Sequence, residues 1–308
     1  MPDKRGAAVL YRALRNLLAA ASRIPWTALS RLARVLAFFF WHLVPSRRKE
    51  AVSAIRKHLK VSHEEALNLA RQSFAENFLS FLEILHAGRF FTEQSVRILY
   101  TPEVKARLQA EKGPIIIATA HLGSWELMPG LAADVLPQRE GMVVVRSHRN
   151  RTLNKIIAEL RGARGMLVVD HRRAVEILLP KLRNGGLAAF LVDHNTNRRE
   201  AVFLPFLEDT AAVNMGPASI ALRAKAAVYP VFLLRDGKGG HILHMLEPLH
   251  TEGLEGNIRE RVAKIARFYT DAVDKMVRIY PAQWFWMHRR WKTRPDQSAS
   301  SGKQGRSV

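Results

Sequence analysis

Apolar and polar positions recur along this chain with two different periods, and the change falls near residue 114. Before it the spacing is helical. Leu10, Leu14, Leu17, Leu18 and Ala21 share one helical face with Arg12 and Arg15 off it, and after Pro25 a second stripe runs Leu29, Leu32, Leu36, Phe39, Phe40 and Leu43 to Pro45. Residues 47–95 read as helices. Within them "SHEEALNLARQSFAENFLSFLEILH" opens with Ser62 and Glu65 spaced as a capping box and carries a long apolar stripe. From 114 onward, short aliphatic runs at 114–119, 142–146, 166–169, 187–192 and 228–234 alternate with helix-like segments at 152–162, 172–184 and 214–225. Short buried strands separated by helices predict an α/β fold with a central, mostly parallel sheet flanked by helices. A further helix is expected over 258–280. The predicted organisation is amphipathic membrane-interface helices over 1–46, a single α/β domain over 47–294 with a helical lead-in to about 110, and a disordered tail over 295–308.

Composition narrows the function. The 308 residues contain no cysteine, which excludes disulfides, thiolate catalysis and cysteine-ligated zinc. The formal net charge of +21 draws the chain to anions: nucleic acid, an acidic protein or an anionic lipid surface. Scattered basic residues, an apolar amino end and the lack of a base-reading motif argue against nucleic acid. The longest charge-free stretch near the amino end, Val35 to Ser46, falls short of the about 17–25 apolar residues a spanning helix needs. No small-residue cleavage site follows it, as a secretory signal requires. Arginines with Trp26, Trp41 and Phe38 to Phe40 point instead to helices lying in a membrane interface; the alternative is a pair of ordinary amphipathic helices covering the core.

Candidate chemistry centres on "IIIATAHLGSWELMPG", residues 115–130, where an aliphatic run stops at His121 and Glu126 follows five positions later. The spacing recurs at His171/Glu176 and His250/Glu255, so context must separate the three. Five residues along a regular helix turn through about 140°, so both groups converge only if the histidine ends a strand and the acid enters through a turn. Only His121 has that setting, with Ser124 as a plausible N-cap and Pro129 limiting the helix that follows. His171 and His250 read as solvated surface histidines. A carboxylate beside His121 would fix its tautomer and stabilise the imidazolium of a general base. Backbone N–H groups of the 122–124 turn, or a basic side chain, would serve a developing oxyanion. The twelve histidines give no HExxH pair and no metal-ligand spacing, and the chemistry calls for no cofactor.

In order along residues 30–295, "HLGSWE", "VVVRSHRNRTLNKIIAELRGARG", "LRNGGLAAFLVDHNTNRREAVFLPFL" and "PAQWFWMHRRWKTRP" resemble the lipid A biosynthesis (lauroyl/myristoyl) acyltransferase family, of the lysophospholipid acyltransferase superfamily. The resemblance implies transfer of a fatty acyl chain from an acyl-thioester, typically acyl-acyl carrier protein or else acyl-CoA, to a hydroxyl of a lipid A precursor or related glycolipid. It implies a peripheral or monotopic enzyme on the cytoplasmic face of the bacterial inner membrane. Carried over by position, His121 is the base and Glu126 its partner, while Arg146, Arg161, Arg164 and Asp193 are candidate substrate contacts. Trp284, Trp286 and Trp291 read as packing or interface anchors, and His288 to Arg290 as groups facing lipid headgroups. Asn195-Thr196-Asn197 departs from the acidic or glycine-containing residues more often found there, which leaves the acceptor open. Two alternatives stand beside this reading: an acyl hydrolase using the same base on water, although no G-x-S-x-G elbow is present, and a non-catalytic protein binding anionic lipid or nucleic acid.

Overall fold

Four helices open the chain in this computed structural model, which describes residues 4–86, 96–146, 150–162 and 164–296. They are α1 (Lys4–Ala21), α2 (Trp26–Leu43), α3 (Pro45–Leu59) and α4 (His63–Glu83). Ser62 caps α4 by accepting the Glu65 N–H at 3.1 Å, as the sequence predicts. The rest is built from β1 (Val96–Leu99), α5 (Pro102–Ala110), β2 (Ile115–Thr119), α6 (Met128–Val135), β3 (Gly141–Val145), α7 (Arg151–Arg161), β4 (Leu167–Asp170), α8 (Ala174–Arg183) and β5 (Leu187–Leu191). Then come the hairpin β6 (Ala201–Phe206) and β7 (Asp209–Asn214), α9 (Gly216–Ala224), β8 (Ala227–Arg235), β9 (His241–Met245), β10 (Leu249–His250) and α10 (Ile258–Ile279). Residues 297–308 of the expected tail and 87–95 at the end of the expected helical stretch lie outside the described residues.

The main sheet runs in the order β1-β9-β8-β2-β5-β3-β4, with β10 beside β8. Strands β8, β2, β5, β3 and β4 are parallel neighbours; β9 joins antiparallel to β8 and carries β1 with it. The expected mostly parallel sheet is thus present, with a mixed edge. Strand β2 is buried throughout, and its alternation feeds two cores: Ile116 and Ala118 pack with α8, α9 and α10 on one face, Ile115 and Ile117 with α5 and α6 on the other. Pro230 sits inside the fully buried β8, where a missing N–H would usually break the ladder. Here it falls where β10, paired to Ala227 and Val228, gives way to β9, paired from Val231 onward, so no ladder bond is lost on that side.

Helix α2 does two things at once. Leu29, Ala33, Ala37 and Trp41 are buried, with Leu29 and Ala33 clustered on Leu79 of α4 and Trp41 edge-on to Phe74. Its other face leaves Leu32, Val35, Leu36, Phe38, Phe39 and Leu43 exposed. Covering the core and presenting an apolar surface are therefore two faces of one helix. Among the described residues no single helix is long and apolar enough to cross a membrane; α2 with α3, bent by 97°, together meet the length and composition of a span.

One buried histidine ties stability to pH. The His58 ring stacks on Trp291 at 3.6 Å and donates its Nδ1 proton to Leu207 O at 3.0 Å. Burial pushes its pKa down from 6.5 to about 4. Because the unfolded chain binds this proton more readily, stability present above pH about 6.5 drains away as the pH falls towards about 4. Thermal melting between pH 7 and pH 4 should drop by more in the wild type than in His58→Phe; parallel melting curves would refute the assignment.

Candidate active site

Parallel pairing of β2 with β5 builds the site. Thr119 lies opposite Leu191, and the Val192 N–H continues the ladder to Thr119 O at 2.8 Å. Two residues beyond each strand end, His121 and Asp193 therefore meet at the carboxyl edge of the sheet, the edge where open α/β sheets place their sites. The His121 Nδ1 lies 2.9 Å from Asp193 Oδ1, and the His121 backbone N–H donates to Oδ2 at 3.0 Å. Trp284 Nε1 donates to the same Oδ2 at 2.9 Å. Burial alone would raise the Asp193 pKa, but the imidazole of His121, then those of His288 and His194, hold it well below the usual carboxylate range. An ionised carboxylate can only accept, so His121 donates from Nδ1, and the neutral ring in that tautomer has its lone pair on Nε2. Its side chain keeps 21% of its surface open.

The carboxylate partner expected for His121 was Glu126; the structure puts Asp193 there. Glu126 turns to Arg161 of α7, whose Nε and a terminal nitrogen bond its two carboxylate oxygens at 2.8 and 2.6 Å. The physical reason is the turn. Chain direction reverses between His121 and α6, so the fifth residue leaves the histidine, while the neighbouring strand end approaches it. Burial works against the Arg161 cation, and Glu126 overrides that cost and raises its pKa. The pair locks α7 to the residues after the His121 turn. Glu126→Gln should keep the fold, lower thermal stability by about 1–3 kcal/mol as one charged hydrogen bond weakens, and reduce the rate of the reaction at this site less than any change at His121. A melting temperature and rate both equal to wild type would remove Glu126 and Arg161 from the site.

Other expectations divide similarly. Arg146 follows β3 at the sheet edge that holds His121 and Asp193, and it is exposed. Arg164 instead lines a cavity with Gly141 and Leu187, the first residues of β3 and β5, so it belongs to the opposite end of the sheet. The 122–124 backbone is not free to meet an oxyanion: Leu122 N–H bonds Ala120 O, Gly123 N–H bonds Gln283 O and Ser124 N–H bonds Leu233 O. Nor does Ser124 cap α6, which starts at Met128 with no side-chain cap. Its hydroxyl donates to Glu83 Oε1 at 2.9 Å. His171 and His250 are exposed, beside Asp170 and Glu111 respectively, as a surface reading requires.

The turn itself is held from both sides. Gly123 has φ +67°, and a Cβ there would stand 2.2 Å from Leu233 O, so only glycine fits. Leu122 pairs with Trp284, and the Phe285 N–H donates to His121 O at 2.9 Å. Ser73 and Asn77 of α4 both donate to Trp284 O. The closing segment is thus buried structure: Trp284, Trp286 and Arg290 are almost fully covered. The expectation of a headgroup-facing cluster fails for Arg290, which donates to Ala212 O and lies over the Phe206 ring; Arg289 is exposed, its Nε bonding Glu50 at 2.8 Å. His288 stacks on Phe285 and stands edge-on to Trp284. Trp125 and Phe285 flank His121 at 5.4 and 6.0 Å between ring centres, and Phe81, part exposed, meets both edge-on. This aromatic wall leads from the imidazole to the surface of α4.

Relatives bear on what such a site serves. The family model described as bacterial lipid A biosynthesis acyltransferase matches residues 9–293. The lipid A biosynthesis lauroyltransferase of Escherichia coli strain K12 is 28% identical over 194 residues, covering 61% of this chain and 60% of that protein. The lipid A biosynthesis acyltransferase of Haemophilus influenzae is 24% identical over 288 residues, covering 90% and 88%. The phosphatidylinositol mannoside acyltransferase of Mycobacterium tuberculosis strain CDC 1551 / Oshkosh is 24% identical over 182 residues, covering 57% and 54%. With a family match that runs through both the His121 turn and the closing tryptophan segment, this chain belongs to the bacterial lipid A biosynthesis acyltransferase family.

Proposed function

We propose that the protein is an O-acyltransferase that moves a fatty acyl chain from an acyl-thioester to a hydroxyl of a lipid A precursor or a related glycolipid. One observation carries the reading: an imidazole with its Nδ1 proton on a buried carboxylate and its Nε2 lone pair available, at the carboxyl edge of a parallel sheet. His121 Nε2 takes the acceptor hydroxyl's proton as that oxygen attacks the thioester carbonyl. Asp193 stabilises the imidazolium that results. The tetrahedral intermediate then expels the thiolate, which recovers the proton from His121, leaving an ester and a free thiol. No enzyme-bound acyl group is needed, and no serine or cysteine nucleophile stands in the dyad. Arg146, at the same edge, is placed to meet an anionic group of either substrate.

Acyl carrier protein is the donor we favour, with acyl-CoA as the alternative, since both are acidic and the chain carries +21. The acceptor's lipid origin fits the outer face of α2, with Phe38 and Phe39 exposed among Arg31 and Arg34. We place the protein on the cytoplasmic face of the bacterial inner membrane, held as a peripheral or monotopic protein. Deleting residues 1–45 would strip Leu29 and Trp41 from the core, so point changes make the cleaner test. Phe38→Ser with Phe39→Ser should cut sedimentation with anionic vesicles at least about tenfold, roughly 0.7–1.5 kcal/mol for each exposed ring withdrawn from lipid, without lowering the melting temperature. Unchanged sedimentation would dispose of the α2 contact.

The activity is tested by mass spectrometry of lipid products. Purified protein, acyl-acyl carrier protein and a lipid A precursor should give a product heavier by one acyl group with stoichiometric free thiol. Release of free fatty acid without that product would assign an acyl hydrolase instead, and neither product with either donor would end the acyltransferase reading.

A further inference from the structure

We infer that His121, Asp193 and His194 form a binding site for a divalent transition-metal ion of the zinc class, and that occupation of this site switches off the base. Each of the three side chains offers one ligand atom, and these atoms lie within 4.8 Å of one another. Tetrahedral zinc with ligands at about 2.0–2.1 Å wants those atoms roughly 3.3 Å apart, so the ring of His194 must swing in by no more than roughly 1.5 Å. That ring is exposed, so it has room to move and the ion has a path from solvent.

The proton position of His194 already suits a metal site. His194 Nδ1 lies 3.0 Å from Leu191 O, and a carbonyl only accepts, so the proton is on Nδ1 and the Nε2 lone pair is free to ligate. Metal-binding histidines usually hold their other N–H on a carbonyl in this way. Asp193 is likewise braced: Trp284 Nε1 and the His121 backbone N–H both donate to Oδ2, and Oδ1 accepts from His121 Nδ1, whose proton the ion displaces when it takes both atoms as ligands. The rings of His121 and His194 stand at 85° with centres 5.0 Å apart, so they approach Asp193 from different directions and do not stack against each other. Two imidazoles and one carboxylate suit zinc, cobalt or nickel far better than magnesium or calcium, which prefer all-oxygen shells. Water fills the fourth position.

Binding at this place costs the enzyme its base. With the ion on Nδ1, the one proton of the neutral imidazole sits on Nε2, so His121 has no lone pair for the acceptor hydroxyl, and the ion takes up the charge of Asp193 as well. The metal-binding half of the inference rests on geometry alone; the inhibition half rests on the proposed function, and the experiment separates them.

Full-length protein in detergent is titrated with cobalt(II), and the visible absorption of a four-coordinate ion is followed, with zinc as competitor. A saturable signal in the micromolar range, displaced by zinc and weakened at least tenfold in His194→Gln but not in the surface control His171→Gln, is the expected result. No cobalt signal, or equal affinity in His194→Gln, overturns the site whether or not the protein transfers acyl groups. In parallel, acyl transfer with and without zinc is measured, each variant against its own metal-free rate. Zinc should lower the wild-type rate at least tenfold, reversibly on adding chelator, and His194→Gln should escape at the same zinc concentration. Full activity at saturating zinc overturns the switch even if the metal binds.

Discussion

His121→Ala is expected to lower the rate of acyl transfer by about 10²–10⁴, the span that a positioned general base supplies. Folding should survive the change. The two groups that brace Asp193 Oδ2, Trp284 Nε1 and the backbone N–H of residue 121, do not depend on the imidazole, so the buried carboxylate keeps both. Asp193→Asn makes the complementary test. An amide oxygen can still accept the Nδ1 proton, but it brings no negative charge to stabilise the imidazolium, and its NH₂ end then faces two donors, Trp284 Nε1–H and the residue 121 backbone N–H, that lose their acceptor. A loss of about 10²–10⁴ in kcat, with smaller change in KM, is the expected outcome. Transfer assays with a labelled acyl donor, together with melting curves on the same preparations, decide the matter. Retention of more than a tenth of wild-type activity in well-folded His121→Ala would mean that another group takes the proton, and the dyad would lose its meaning. The double variant should be scarcely slower than His121→Ala, because the carboxylate acts only through the ring.

Much of this was visible in the residues before any coordinates. Periodicity located the five parallel strands and the helices α7, α8, α9 and α10 within a few positions, because a buried parallel strand needs an unbroken aliphatic run and an amphipathic helix needs its stripe. The hairpin of β6 and β7 was not read as strands: "VFLPFL" holds a proline and the partner "TAAVN" is weakly apolar. Proline is tolerated there because β6 pairs on one side only. His121 was found from its place at the end of an aliphatic run. Its true partner was not, because spacing along the chain reports on neighbours in sequence, whereas Asp193 arrives through a strand pairing 72 residues away. A signal existed: "LAAFLVDH" repeats the pattern of "IIIATAHL", an aliphatic run that ends in a titratable residue, and adjacent parallel strands with such ends must bring them together. The closing segment misled for another reason. Its arginines and tryptophans suit an interface as well as a core, and only the carbonyl of Ala212 and the ring of Phe206 show that Arg290 is buried.

Glu83→Ala should be the most destabilising single change among the polar residues, by about 3–5 kcal/mol. The carboxylate is fully buried against Ser124 of the turn that follows His121. Burial would raise its pKa, but Arg235 and then His241 hold it low, so it is a buried anion matched to a nearly buried cation. Its Oε1 accepts from Arg235 Nε at 3.0 Å and from Ser124 Oγ at 2.9 Å, and Ser124 Oγ in turn accepts from His241 Nε2 at 2.9 Å. Arg235 also reaches Glu76 at 2.7 Å and Ser80 Oγ at 2.8 Å, and the Ser80 hydroxyl stands 2.5 Å from Gly123 O. Alanine would leave the Arg235 charge with Glu76 alone, and would strip Ser124 of its acceptor. The loss therefore falls on residues 123 and 124, which fix the direction in which His121 leaves β2. On this account the melting temperature should fall by roughly 6–20 °C, at about 2–4 °C per kcal/mol, and the surviving folded fraction should show a lower kcat than Glu126→Gln. A double-mutant cycle separates charge from packing: Glu83→Gln with Arg235→Met should lose less than the two single changes added together, because each single change strands a buried partner and the pair does not. Strict additivity, or a Glu83→Ala protein within about 1 kcal/mol of wild type, would show that apolar packing alone holds the turn and that the buried charges are incidental to it.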